Sequence, residues 1–138
     1  MKGVILAGGV GSRLHPLTRI TNKHLLPIYD RPMVTYAIEA IVSAGVKEIM
    51  LVTGGTHGGE FFRLLGDGHS HGIDLLQYAY QEQESGLADA LGLAQRFAGD
   101  DRVLVMLADN IFERSIRPVV ENFERQERGG RIVLSREE

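Results

Sequence analysis

The chain contains no cysteine. Disulfides and thiolate metal sites are therefore excluded, and nothing in the sequence calls for an oxidising compartment. Long apolar runs are also missing, since a membrane-crossing helix needs roughly 20 such residues. No secretory leader is visible: Lys2 precedes only the short run Val4–Ala7, and glycine follows at once. A basic surface is absent as well. Net charge is −3 with histidine neutral, which argues against a nucleic-acid partner. The cytoplasm is the expected compartment, with no membrane partner. Length is limited too, because 138 residues suit one domain and not two.

Two familiar phosphate-binding patterns are lacking. The stretch Leu6-Ala7-Gly8-Gly9-Val10-Gly11-Ser12-Arg13-Leu14 is glycine-rich, but no lysine follows it at the P-loop spacing. The dinucleotide fingerprint Gly-x-Gly-x-x-Gly, read from Gly9 and Gly11, would require glycine where Leu14 stands. A nicotinamide-binding domain is disfavoured on that ground.

What is present is a short apolar run, Gly3–Leu6, ending in this glycine turn. Glycines carry no Cβ, so the backbone can turn tightly and approach a ligand closely. Exposed N–H groups in such a turn form a concavity suited to an anion. Gly8, Gly9, Gly11 and Ser12 are thus candidate phosphate contacts, and Arg13 adds a permanent positive charge. The plain alternative is ordinary turn chemistry with a surface arginine.

Along the chain, strand and helix patterns alternate. Strands are expected at Gly3–Ala7, Glu48–Thr53, Ile73–Tyr80, Val103–Leu107 and Arg131–Ser135. Helices are expected at Pro32–Ala44, stopped by Gly45, and at Glu60–Leu65, closed by Gly66. A third is expected over Gly86–Phe97, with Leu87, Leu91, Ala94 and Phe97 on one face. A fourth would be capped by Ser115 and carry Ile116, Val119, Val120 and Phe123 inward. Gly54–Gly59 reads as a candidate mobile loop, and the mixed-sign run Glu121–Arg131 as the solvated face of a helix. There is no internal repeat. The alternation predicts an α/β, Rossmann-like fold with a mostly parallel sheet and helices on both faces. Ligands in such sheets bind beyond the carboxyl ends of the strands. The glycine turn and Asp109 both fall at such ends.

Further segments carry a resemblance. They are Asn22-Lys23-His24-Leu25-Leu26-Pro27-Ile28-Tyr29-Asp30-Arg31-Pro32-Met33, Leu65-Gly66-Asp67-Gly68, Gln81 with Gly86-Leu87-Ala88, and Leu107-Ala108-Asp109-Asn110. With the glycine turn, in this order, the set resembles the sugar-1-phosphate nucleotidyltransferases. Its thymidylyl members, which join dTTP and glucose 1-phosphate and release pyrophosphate, are nearest. The resemblance implies a nucleotide-diphospho-sugar transferase fold and a magnesium cofactor. The expected partners are a nucleoside triphosphate, dTTP first, and a sugar 1-phosphate. Uridylyl members are the alternative, and a homo-oligomer stays open beside a monomer.

Residue by residue, the resemblance gives Arg13 and Lys23 catalytic roles on phosphate. Gly8, Gly9, Gly11, Ser12, Arg13, Gln81 and Gly86 would bind nucleotide, and Asp109 magnesium. Asn110 would face the sugar phosphate. Each role has a plainer counterpart: a Lys23 that only precedes a packing segment, an Asp109 that is a turn residue, and a Gln81 that is a solvated glutamine. The residue types suit the roles. Lysine acts on phosphate as a point charge, magnesium takes one or two carboxylates with phosphates, and an amide can read a pyrimidine edge. Of the five histidines, His69 and His71 in a glycine-rich turn read as surface residues, since zinc needs several spaced ligands.

Two positions depart from the family pattern. Ala108 stands where glycine is usual, and Asp89 where glutamine is usual. The first adds a methyl, and the second removes a donor and adds charge near the base. The resemblance also implies a longer protein: the family's Glu-Lys-Pro segment and second metal-binding aspartate have no counterpart here. The expected domain is therefore the nucleotide-binding part of a nucleotidyltransferase, residues 1–138, truncated at its C-terminus. A non-catalytic nucleotide-binding module is the rival from another class.

Overall fold

The structure is a computed structural model and describes residues 1–9, 11–83 and 85–134. Four strands, β1 (Lys2–Ala7), β4 (Glu48–Gly54), β5 (Leu75–Gln81) and β6 (Val103–Leu107), form one sheet in the order β5-β4-β1-β6. Every neighbouring pair is parallel, with Leu6 opposite Val52 on one side and Leu107 on the other. A hairpin of β2 (Pro27–Ile28) and β3 (Arg31–Pro32) stands apart from it, turning through Tyr29 at φ 60°. The sequence pattern does not predict this hairpin.

Burial on both faces explains the unbroken apolar runs of the central strands. Ile5, Ala7, Ile49 and Leu51 point to one face, where they meet α1 (Met33–Ser43), α2 (Gly58–Leu65) and α5 (Arg117–Glu124). Val4, Leu6, Met50 and Val52 point to the other, against Ala90, Ala94 and Phe97 of the α3 (Leu87–Gly92) and α4 (Gln95–Ala98) segment. The mostly parallel sheet with helices on both faces is thus present.

Helix α1 stops as expected. Gly45 adopts φ 96°, its N–H bonds the Val42 carbonyl, and the Val46 N–H reaches back to Ile41. This is a Schellman stop, which glycine makes without a Cβ penalty. Ser115 Oγ accepts the Arg117 N–H at 3.2 Å at the start of α5, with Pro118 in the first turn.

Several expectations need correction. The helix over 86–97 is two short pieces, broken at Leu93 and Ala94. Its buried residues are Ala90, Ala94 and Phe97, whereas Leu87 and Leu91 are exposed. Ala90, Ala94 and Phe97 keep the i, i+4, i+7 spacing across the break, so the inward face is the one that carries the two alanines and Phe97, and Leu87 and Leu91 flank it. Residues 131–134 form no strand, and Ser135 lies outside the described residues. The segment is not paired with β6, so nothing holds it extended in a ladder. The run Glu121–Arg131 is helical only to Glu124. Finally, Gly54 ends β4 while Gly58 and Gly59 open α2, which reduces the expected loop to 55–57.

The topology places the site. The chain runs β1, β4, β5 outward on one side, then crosses back to lay β6 on the other side of β1. The connection leaving β1 carries α1 on one face, whereas the one that leaves β5 and returns to β6 carries α3 and α4 on the other, and a crevice opens between them at the carboxyl ends of the strands.

Candidate active site

The crevice is a cleft of about 340 Å³ lined by Leu6, Gly8, Gly9, His24, Gln81, Gly86, Leu87, Ala90, Leu107 and Asp109. The glycine turn enters directly from β1. Gly9 and Gly11 hold φ 105° and 59°, in the region that favours glycine. At Gly11 the need is also steric. A Cβ there would stand 2.9 Å from Thr18 Cγ2 and 3.0 Å from Lys23 Cβ. The absence of a side chain lets the Lys23 stem lie against the turn. Thr18 Oγ1 donates to the Gly11 carbonyl at 2.8 Å and fixes it further.

Lys23 then reaches across the crevice. Its Nζ lies 2.6 Å from Asp109 Oδ2, and both side chains are partly buried. The pair joins two segments 86 residues apart in sequence. Burial opposes the charge on Asp109, but the Lys23 hydrogen bond and charge outweigh it and hold the carboxyl below its ordinary range. Among the described residues no group of three metal-ligating side chains exists. Asp109 is thus one hard anionic ligand without a protein cage. That donor set fits magnesium, which is held by one or two carboxylates along with substrate phosphates.

Gln81, at the end of β5, is buried and lines the opposite wall. Its Nε2 donates to the Gly86 carbonyl at 3.3 Å and to Asp89 Oδ2 at 3.1 Å. Gly86 adopts φ 104°, so the backbone turns there without a side chain. Gln81 is therefore not the solvated residue that its polar neighbours suggest.

Not every expected residue meets the cleft. Ser12 and Arg13 sit exposed in the 3-10 turn Ser12–Leu14, beyond the lining. Asn110 lines a different groove with Met106, Phe112 and Ile116. Asp109 lies in the turn that follows β6 and Asn110 just beyond it, where the Asn110 N–H bonds the Leu107 carbonyl at 3.0 Å. Ala108 is buried in the core on the α1 face, so its extra methyl packs away from the cleft. His69 is exposed, as expected, and pairs with Asp67 at 2.9 Å.

His24 is the residue that pattern reading missed. It is buried at the cleft wall. Asn22 Oδ1 accepts the His24 backbone N–H at 2.9 Å, and Nδ1 of the ring lies 2.9 Å from the same oxygen. Asn22 Nδ2 in turn donates to the Ala7 carbonyl at 3.4 Å. With Oδ1 as the acceptor, Nδ1 carries the proton. Burial lowers the His24 pKa, and Lys23 adds to this; Asp109 and the Ala7 carbonyl work the other way. The available signal was Asn22 as an N-cap directly before Lys23-His24.

Known proteins resemble this chain in sequence and in fold. The family model "Nucleotidyl transferase" matches residues 2–138. A glucose-1-phosphate thymidylyltransferase of Neisseria meningitidis is 46% identical over 112 residues, covering 81% of this chain and 38% of that protein. One from Actinoplanes sp. is 40% identical over 133 residues, covering 96% of this chain and 43% of that protein. A Bacillus anthracis structure assigned as a glucose-1-phosphate thymidylyltransferase, with sucrose bound, is 46% identical with a TM-score of 0.90. The match covers 94% of this chain and 52% of that one. The chain spans about two fifths of the length of these curated relatives. A match along essentially the whole sequence, on the same fold and with the cleft at the switch point, means that this chain belongs to the nucleotidyl transferase family.

Proposed function

We propose that the cleft binds a nucleoside triphosphate, dTTP first, and serves transfer of its nucleotidyl group to glucose 1-phosphate. The observation that carries this reading is the Lys23–Asp109 pair at 2.6 Å beside the Gly8–Gly11 turn. A cation and a carboxylate of the kind magnesium takes, close to glycine N–H groups, support binding of phosphates there.

In the reaction an oxygen of the sugar phosphate attacks the α-phosphorus, and the bond to the β-phosphate breaks to release pyrophosphate. Such chemistry depends on positioning and on charge held at the phosphates. The turn at Gly8, Gly9 and Gly11, with Ser12, supplies backbone donors. Arg13 offers a planar fork to the triphosphate from the adjoining 3-10 turn. Lys23 supplies a point charge, and Gln81 with Gly86 meets the base. A magnesium ion held by Asp109 would offset negative charge on the phosphates. Asn110 would need the turn after β6 to rotate before it could face the sugar phosphate.

Among the described residues no helix is long and apolar enough to cross a membrane. We place the reaction in the cytoplasm, and a homo-oligomer stays compatible with it. Uridylyl transfer is the near alternative, because thymine and uracil differ by one methyl, a difference of about 1–3 kcal/mol in a hydrophobic pocket.

The test is direct. The protein is incubated with magnesium, dTTP and glucose 1-phosphate, and pyrophosphate is measured. Release supports the reading; no release with any nucleotide and sugar-phosphate pair overturns it. A non-catalytic nucleotide-binding module is the second reading. It is favoured by Asn110 lying in the other groove and by the lone carboxylate in the cleft. It expects dTTP binding without turnover.

A further inference from the structure

Gln81 meets acceptors on one side. Its Nε2 faces the Gly86 carbonyl and Asp89 Oδ2. A carbonyl and an ionised carboxylate can only accept, so the NH2 end of the amide must lie there. Both of its hydrogens are committed. The Oε1 end is turned toward Gly8, where a Cβ built on that glycine would stand 3.4 Å away. Gly8 and Gln81 line the cleft together, whereas Asp89 does not line it.

Asp89 is itself held in place. Ser85 Oγ donates to the same Oδ2 at 2.6 Å. The Ser85 and Gln81 hydrogen bonds hold the Asp89 carboxyl below its ordinary range, so it stays an acceptor at neutral pH. An amide at this position could present either an oxygen or an NH2 group to Gln81 and would leave its orientation open.

We infer that Asp89 is a positioning residue for base selection: through Gln81 it makes the pocket present an acceptor, favouring a pyrimidine with an N3–H over cytosine. Thymine and uracil carry a proton on N3 that Gln81 Oε1 can accept. Cytosine N3 carries a lone pair, so acceptor would meet acceptor in a desolvated site. The inference rests on the reading of the cleft as a base site made above.

The experiment measures dissociation constants of the chain for dTTP and for dCTP, each with magnesium. It compares the wild type with Asp89→Ala, Asp89→Asn and Gln81→Ala. The wild type should prefer dTTP. Asp89→Ala should lose about tenfold of that preference, the worth of one buried hydrogen-bond mismatch. Asp89→Asn can present either an oxygen or an NH2 group to Gln81 and should recover only part of it. A purely structural role for Asp89 would weaken both nucleotides alike and leave the ratio unchanged. An unchanged ratio in Asp89→Ala, with Gln81→Ala impaired for dTTP, overturns the role of Asp89 alone. Wild-type protein that binds neither nucleotide, or Gln81→Ala that binds dTTP normally, overturns the base-site reading and this inference with it.

Discussion

At the scale of single residues, Asp109 carries two roles that a substitution can separate. As the partner of Lys23 it contributes a partly buried ion pair; as a metal ligand it would contribute to turnover. Asp109→Asn removes one charge at nearly constant shape. Turnover should fall by about 10² or more, by analogy with removing a transition-state stabiliser. Folding should change little, because the pair is partly solvated and such pairs are worth about 1 kcal/mol or less. A magnesium titration of activity beside a thermal melt checks both halves. Normal turnover with a normal magnesium response would reduce Asp109 to a turn residue. His24 allows a second separation, by pH. Burial lowers its pKa from the ordinary 6.5, so the folded protein holds it neutral while the unfolded chain takes up a proton first. Its stabilising contribution is therefore present above pH 6.5 and is lost as pH falls below it. The slope can approach about 1.4 kcal/mol per pH unit for one proton. Melts of the wild type and His24→Gln from about pH 8 to about pH 5 test this, in a window above that of the carboxylates. The wild type should lose stability across it more steeply than the variant, and parallel curves would remove His24 as the cause.

At the scale of elements, α3 and α4 make the sharpest prediction. Gly92 ends α3, and a Cβ there would meet nothing within 4 Å. Gly92 is also outside the positive-φ glycines, so alanine fits its backbone. Gly92→Ala should raise stability by about 0.4–1 kcal/mol, mainly by restricting the unfolded chain. A chemical denaturation series measures it, and a destabilised variant would mean that the break between α3 and α4 needs glycine. This element also shows where sequence reading succeeds and fails. The strands β1 and β4 were legible because both their faces are buried, which leaves an unbroken apolar run, and β6 keeps such a run although Val105 is exposed. The end of α1 was legible because Gly45 makes a stop that few other residues make. The face of the 86–97 segment was not legible. Leu87, Leu91 and Ala94 fit a helical face as well as Ala90, Ala94 and Phe97 do, so periodicity alone could not choose the face that packs on the sheet. The site divides the same way. Gly8, Gly9, Gln81, Gly86 and Asp109 line one cleft and Lys23 pairs with Asp109, whereas the placement of Asn110 in another groove and the burial of His24 depend on tertiary packing that no local spacing records.

At the scale of the whole molecule, the sheet is covered on its faces and ends in two edge strands, β5 and β6. β6 is hydrogen-bonded to β1 alone, so its outer row of N–H and C=O groups has no ladder partner among the described residues. Val105, in the middle of that strand, is 41% exposed. Beside it runs an apolar groove lined by Leu104, Met106, Phe112, Ile132 and Val133. An unpaired strand edge with apolar flanks is a template for pairing with another strand. The chain should therefore self-associate as its concentration rises, through β6 and without use of the cleft. Val105→Lys places a charge on the edge, which solvates it and repels a second copy. The lysine stem can still cover the neighbouring apolar surface, so the fold should survive. Light scattering over a concentration series is the measurement, with dTTP binding followed in parallel. The wild type should grow in apparent mass while Val105→Lys stays monomeric, and both should bind dTTP equally. A wild type that remains monomeric throughout would show that the tail and groove already shield the edge.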